Sequence, residues 1–125
     1  MILITGGKYQ GKLDFALGTI GVTEENVSYD LPAEGDKKVK IINNCEAIIK
    51  DMIKINIPVE DIREIWKAPD LKDKILIFND VTMGIVPIDA DERRYREAVG
   101  KVATELAESA DIVYRVFCGI PLKLK

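Results

Sequence analysis

Directly after the apolar run Met1 to Thr5 the chain reads Gly6-Gly7-Lys8-Tyr9-Gln10-Gly11-Lys12, which satisfies the pattern GxxxxGK. A short apolar run ended by paired glycines reads as a buried first strand. In a glycine turn between a strand and a helix, successive backbone N–H groups face inward. The helix N-terminus adds partial positive charge, and the lysine reaches the outer phosphates of a ligand. The position between a first strand and a first helix makes the pattern far more specific than its letters. Gly6, Gly7, Lys8, Tyr9, Gln10, Gly11, Lys12 and Leu13 are therefore the candidate nucleotide-binding residues, with Lys12 a candidate catalytic cation.

The loop departs from its usual chemistry at the metal. The residue after the lysine ordinarily brings a hydroxyl to magnesium, and Leu13 has no oxygen to offer. A second contact ordinarily comes from a carboxylate at the end of a neighbouring strand. The candidate end, Ile41-Ile42-Asn43-Asn44-Cys45, presents only amides there, which carry no charge to offset a divalent cation. Magnesium is disfavoured on both counts, and no metal site is assigned. A glycine turn that merely joins strand to helix, with Lys12 solvated, is the competing reading of the same letters.

Further along, short apolar strands alternate with helical patterns. A brief helix from Gly11 to Leu17 is expected to break near Gly18 and Gly21, before a weak strand at Val27 to Asp30. Pro32 to Lys38 is a polar loop, and Val39 to Ile42 is again apolar. Cys45, Ile48, Ile49, Met52 and Ile53 trace a helical stripe, with Glu46, Lys50, Asp51 and Lys54 assigned to the opposite side. Pro58 opens a short helix with Val59, Ile62, Ile65 and Trp66 inward, and Lys74 to Phe78 is a strand.

After Pro87, Tyr95, Ala98, Val99, Val102, Ala103, Leu106 and Ala110 mark a long helix, capped by Asp89 or Asp91. Asp111 to Phe117 and Pro121 to Leu124 close as strands about a Gly119-Ile120-Pro121 turn. Strand–helix alternation implies parallel pairing, and only the last strand, too close to its neighbour for a crossover, is antiparallel. The expected fold is P-loop NTPase-like: a three-layer α/β/α domain spanning 1–125, mostly parallel, with an antiparallel C-terminal strand.

Composition removes several function classes. With 47% apolar and 31% charged residues and a net charge of −3, the chain is expected to be an ordinary globular domain. It lacks the basic stripe that nucleic acid demands. No stretch approaches the roughly 20 apolar residues of a membrane span. The N-terminal run is too short for a signal peptide and has no basic flank. A cytoplasmic location follows, in which Cys45 and Cys118, both in apolar surroundings without CxxC spacing, are expected as buried free thiols. The sequence contains no histidine, which excludes any step needing an imidazole base, ligand or covalent carrier.

At Asn79-Asp80-Val81-Thr82-Met83-Gly84-Ile85-Val86-Pro87 the sequence resembles the Asn-Glu-Val-Gly-x-Gly-Ile-Val-Pro motif of the adenosylcobinamide kinase/adenosylcobinamide-phosphate guanylyltransferase family of cobalamin biosynthesis. The resemblance continues through Arg94, Tyr95, Gly100 and Ala110-Asp111 to the ending Cys118-Gly119-Ile120-Pro121-Leu122-Lys123, and is matched at the other end by Ile4-Thr5-Gly6-Gly7, Gly11 and Lys12. It implies a trimer that uses ATP or GTP, phosphorylates the corrinoid hydroxyl, and transfers GMP through a guanylylated histidine. Against the family loop Gly-Gly-x-Arg-Ser-Gly-Lys-Ser, this chain has Tyr9, Gln10 and Leu13 in place of Arg, Ser and Ser. Asn44-Cys45 stands for the family's Asp-Cys, Asp80 for its Glu, and Thr82 for the following Gly. The segment that bears the family's histidine is reduced to Pro32–Lys38.

Two readings follow. In one, the chain keeps a cradle for a nucleotide, phosphate or corrinoid-related ligand but not the catalytic apparatus. In the other, it is a kinase of cobinamide in which Lys12 neutralises the phosphoryl group and Asp80 orients the hydroxyl or a metal-bound water.

Overall fold

The N-terminal apolar run forms β1 (Ile2–Gly6), the strand around which the sheet is assembled. A computed structural model describes residues 1–81 and 89–125. The remaining elements are α1 (Lys12–Ile20), β2 (Val27–Ser28), β3 (Ile41–Ile42), α2 (Cys45–Lys54), α3 (Val59–Ile65), β4 (Ile75–Asn79), α4 (Ala90–Ser109), β5 (Ile112–Phe117) and β6 (Ile120–Lys123). Strand order is β2-β3-β4-β1-β5-β6. β1 pairs in parallel with both β4 and β5, while among the described residues only β5 and β6 run antiparallel.

Because side chains alternate across a strand, each strand of the sheet centre supplies both faces. Leu3, Ile42 and Leu76 pack against α2, α3 and α4 through Cys45, Ile49, Ile62, Trp66, Val99 and Val102. Ile4, Ile41, Ile77 and Val116 face the other way, onto Ala16, Phe15 and Leu17 of α1. The result is three layers, with one helix on one face and three on the other. The P-loop-like α/β architecture expected from the sequence is the one observed. Near-continuous apolar strands are what a sheet covered on both faces requires.

Local differences from the sequence reading have physical causes. α1 does not stop near Gly18 but runs to Ile20, ending at Gly21, whose left-handed backbone (φ 65°) brings its N–H to the Leu17 carbonyl at 3.0 Å. An interior glycine costs a helix only about 1 kcal/mol, and the packing of Phe15, Ala16 and Leu17 outweighs that. In α3 the core is filled by Ile62 and Trp66, whereas Ile65, expected inward, is largely solvent-facing. A helix this short presents one narrow stripe, and Ile65 lies off it.

At the C-terminal hairpin the turn is Cys118-Gly119, both at positive φ, so Ile120 already pairs with Phe117. Cys118 is therefore exposed at a turn tip rather than buried, while Cys45 is buried as expected. The Asp89 side chain caps α4 by accepting from the Asp91 N–H at 2.8 Å. Thr82 and Met83-Gly84-Ile85-Val86-Pro87 lie outside the described residues.

On the three-helix face Ile49 has no exposed surface. Ile49→Ala should therefore lower unfolding free energy by about 2–5 kcal/mol in urea titrations. Ile55→Ala, on the exposed end of the same helix, should change it by no more than about 0.5 kcal/mol.

Candidate functional site

The loop after β1 is fixed by its neighbours on both sides. Gly6 has φ 151°, and a Cβ there would lie 2.4 Å from the Val116 carbonyl oxygen on β5, so only glycine fits. Its own carbonyl accepts from the Asp80 N–H at 2.9 Å, which ties the loop's start to the end of β4. The far side of the loop is gripped by the β5–β6 turn. Gln10 Oε1 accepts from the Cys118 N–H at 2.6 Å, and the Gln10 carbonyl accepts from the Gly119 N–H at 2.7 Å. Tyr9 sits at φ 61° with its side chain fully exposed.

Lys12 opens α1. Although charged, it is only 6% exposed, and its Nζ donates to the Gly7 carbonyl at 2.5 Å, curling the loop around the ammonium. Burial lowers its pKa, while the nearby Glu46 and Asp80 carboxylates oppose that shift. Loop and helix start, from Lys8 through Leu13 and Asp14, line a cavity of about 570 Å³. That is the size range of small-molecule sites. Leu13 also packs partly into the α1 side of the core.

The opposite wall comes from the ends of β3 and β4 and from α2. Asn44 caps α2 in a left-handed conformation (φ 54°), tolerable for asparagine. Its Oδ1 accepts from Asn79 Nδ2 at 3.0 Å. Glu46, in the first turn of α2, was assigned to the solvent side by the sequence reading; it is instead 4% exposed and lines the cavity. Its Oε1 accepts from the Asn79 N–H at 2.9 Å and from Asn79 Nδ2 at 2.8 Å. Its Oε2 has no hydrogen-bond partner among the described residues. Burial pushes the Glu46 carboxyl above the usual range, and the two bonds from Asn79 partly offset this.

Tyr95 of α4 and Lys50 of α2 complete this wall, with Lys50 Nζ 5.4 Å from the ring centroid. Burial, with Glu46 and Glu92 nearby, raises the Tyr95 phenol to about 12.

Asp80 is placed differently from the rest. Its Oδ2 lies 2.9 Å from a guanidinium nitrogen of Arg115 on β5, and it is not among the described residues that line the cavity. The structure thus brings Lys12, Leu13, Asn44 and Glu46 to one cavity and pairs Asp80 with Arg115 instead. Glu46 had a legible signal: it falls three and seven residues before Ile49 and Ile53, on the inward face.

The residues present do not fit the loop's usual magnesium ligands. Leu13 brings no oxygen, and Asn44 brings an amide already engaged by Asn79. Among the described residues no group of three or more His, Cys, Asp or Glu could hold a metal ion.

A carboxyl whose pKa is higher folded than unfolded contributes stability below its unfolded value, and that contribution is lost as pH rises through the folded value. Wild-type stability should therefore fall relative to Glu46→Gln as pH climbs from about 4.5. Urea titrations of both proteins at pH 4 and pH 8 check this, with the variant gaining on wild type at the higher pH.

Comparison with known proteins identifies the family. The family model described as cobinamide kinase / cobinamide phosphate guanyltransferase matches residues 40–124. The bifunctional adenosylcobalamin biosynthesis protein CobU of Salmonella typhimurium is 43% identical over 51 residues, which is 41% of this chain and 28% of the relative. The Escherichia coli protein of the same name is 41% identical over 51 residues, with the same coverage of both chains. The aligned part of the chain thus spans less than a third of the length of either curated relative. With the model match extending over more than half of its residues, the chain belongs to the cobinamide kinase / cobinamide phosphate guanyltransferase family.

Proposed function

We propose that this chain is a divergent member of its family that holds a nucleotide, GTP or ATP, or another phosphate-bearing small molecule on the loop Gly6 to Leu13, and that it does not perform histidine-based guanylyl transfer. The observation that carries this reading is Lys12, an ammonium held nine-tenths buried at the centre of a pinned glycine loop and facing a cavity of ligand size. A phosphate there would meet the N-terminal N–H groups of α1 and the Lys12 charge together. The 125 residues contain no histidine to carry a guanylyl group. Magnesium has no part in this reading beyond what a nucleotide itself carries.

A second reading, an ATP- or GTP-dependent cobinamide kinase, is favoured by one observation, the Glu46 carboxylate lining the same cavity. In it Lys12 neutralises the transferred phosphoryl group and a carboxylate orients the corrinoid hydroxyl. Asp80 is the carboxylate put forward by the sequence.

The acting unit is taken as one domain, 1–125. Self-association, as a trimer by resemblance to the family, is supported by the apolar β5–β6 hairpin, where Phe117, Ile120 and Leu122 are each at least 60% exposed. No helix among the described residues is long and apolar enough to cross a membrane. The free thiols suit the reducing conditions of the cytoplasm.

Isothermal titration with GTP and ATP tests the cradle. Wild type should bind at least one of them at millimolar concentration or better, and Lys12→Ala should weaken that binding about 10- to 100-fold, the loss of one charge-assisted contact. α-Labelled GTP should leave no covalent label on the protein. No binding of either nucleotide overturns the cradle for nucleotides, and a stable label overturns the loss of guanylyl transfer.

A further inference from the structure

We propose that Glu46 Oε2 receives the hydroxyl hydrogen of the phosphoryl acceptor, making Glu46 the residue that orients and deprotonates the attacking oxygen opposite Lys12. The inference rests on the kinase reading of the cavity. It starts from an anomaly: a carboxylate oxygen buried without a partner among the described residues. Such an atom is costly to bury and calls for an explanation, of which a catalytic role or a bound partner is one. The cavity is where that partner arrives, because Glu46 is one of its walls.

The other oxygen makes the arrangement directional. Oε1 is held by both the backbone and side-chain nitrogens of Asn79, at 2.9 and 2.8 Å. Two bonds to one oxygen fix the carboxylate plane, so the position of Oε2 is set before any ligand enters. Asp80 lacks this freedom, being paired with Arg115 at 2.9 Å.

The charges around Glu46 suit the task. Lys12 faces it from the start of α1, Lys50 lies on its own helix, and Tyr95 faces it from α4. Cys45 beside it is buried, with its thiol pushed up, so that it stays neutral. Asp80 lies beyond Lys12, and exposed Lys8 and Asp14 sit on the rim. Burial raises the carboxyl above its ordinary value, against the opposing bonds from Asn79.

In the step, the acceptor's hydroxyl oxygen attacks the terminal phosphorus of the nucleoside triphosphate and a new P–O bond forms. The bond from that phosphorus to the bridging oxygen breaks, and its electron pair leaves with the nucleoside diphosphate. The hydroxyl proton passes to Glu46 Oε2, while Lys12 offsets the charge on the transferred group.

The test uses the full chain with cobinamide as acceptor, ATP or GTP as donor, and magnesium chloride, reading phosphorylated product over pH 4.5–9. Glu46→Gln should lower kcat at least about 100-fold, leave the nucleotide Kd within about threefold, and abolish the acid limb of the pH profile. Glu46→Asp, which keeps the carboxylate, should retain that limb at a reduced rate. Wild-type turnover left unchanged by Glu46→Gln overturns this inference alone. A higher magnesium requirement with an unchanged pH profile also overturns it, in favour of a metal-ligand role. No product from wild type overturns it together with the kinase reading, while nucleotide binding by the same sample leaves the cradle reading standing.

Discussion

A buried ammonium organises one end of this molecule. Lys12 sits at the carboxyl end of a parallel sheet, the usual place for ligands in open α/β folds, with its charge nearly withdrawn from water. Such burial is tolerable only if opposite charge and a hydrogen-bond acceptor lie close by. The Gly7 carbonyl supplies the acceptor, and Glu46 and Asp80 supply the charge. Each carboxylate is in turn held by another element, Glu46 by Asn79 at the end of β4 and Asp80 by Arg115 on β5. The loop, the sheet centre and the first turn of α2 are thereby linked through one cation.

The same view accounts for the residues that depart from the family's loop. Gln10 stands where the family has serine, and it spends both its side-chain oxygen and its carbonyl on the β5–β6 turn. Leu13, where a hydroxyl is usual, packs toward Ala16 and Ile4 on the α1 face. Asn44, where the resemblance has an acid, stands at the N-cap position of α2 without a side-chain cap bond and accepts from Asn79. These residues serve internal hydrogen bonds and packing. A carboxylate lines the cavity at Glu46, two residues after Asn44.

Much of the fold was legible in the sequence because it follows from short-range patterns. The apolar runs of β1 and β4, the stripe of α4 and the closeness of β5 to β6 gave the order of elements and the parallel sheet. Less legible was whatever depended on neighbours distant in sequence. Glu46 looked like a solvent-side acid beside the stripe of Cys45, Ile48, Ile49, Met52 and Ile53. The inward face takes in Glu46 as well, and Asn79, thirty-three residues away, offsets the burial of the acid. Asp80 was recognised from its motif, but its pairing with Arg115 on β5 could be seen only in the structure.

The central claim is that Gly6 to Leu13, with Lys12 buried at its centre, is a cradle for phosphate. Amide-resolved NMR during titration with GTP tests it without requiring turnover. The account predicts that the largest shifts fall on the backbone N–H groups of Gly7 through Leu13, followed by Glu46 and Asn79 across the cavity. Saturating shifts confined to residues away from this loop, or none at millimolar GTP, would contradict it.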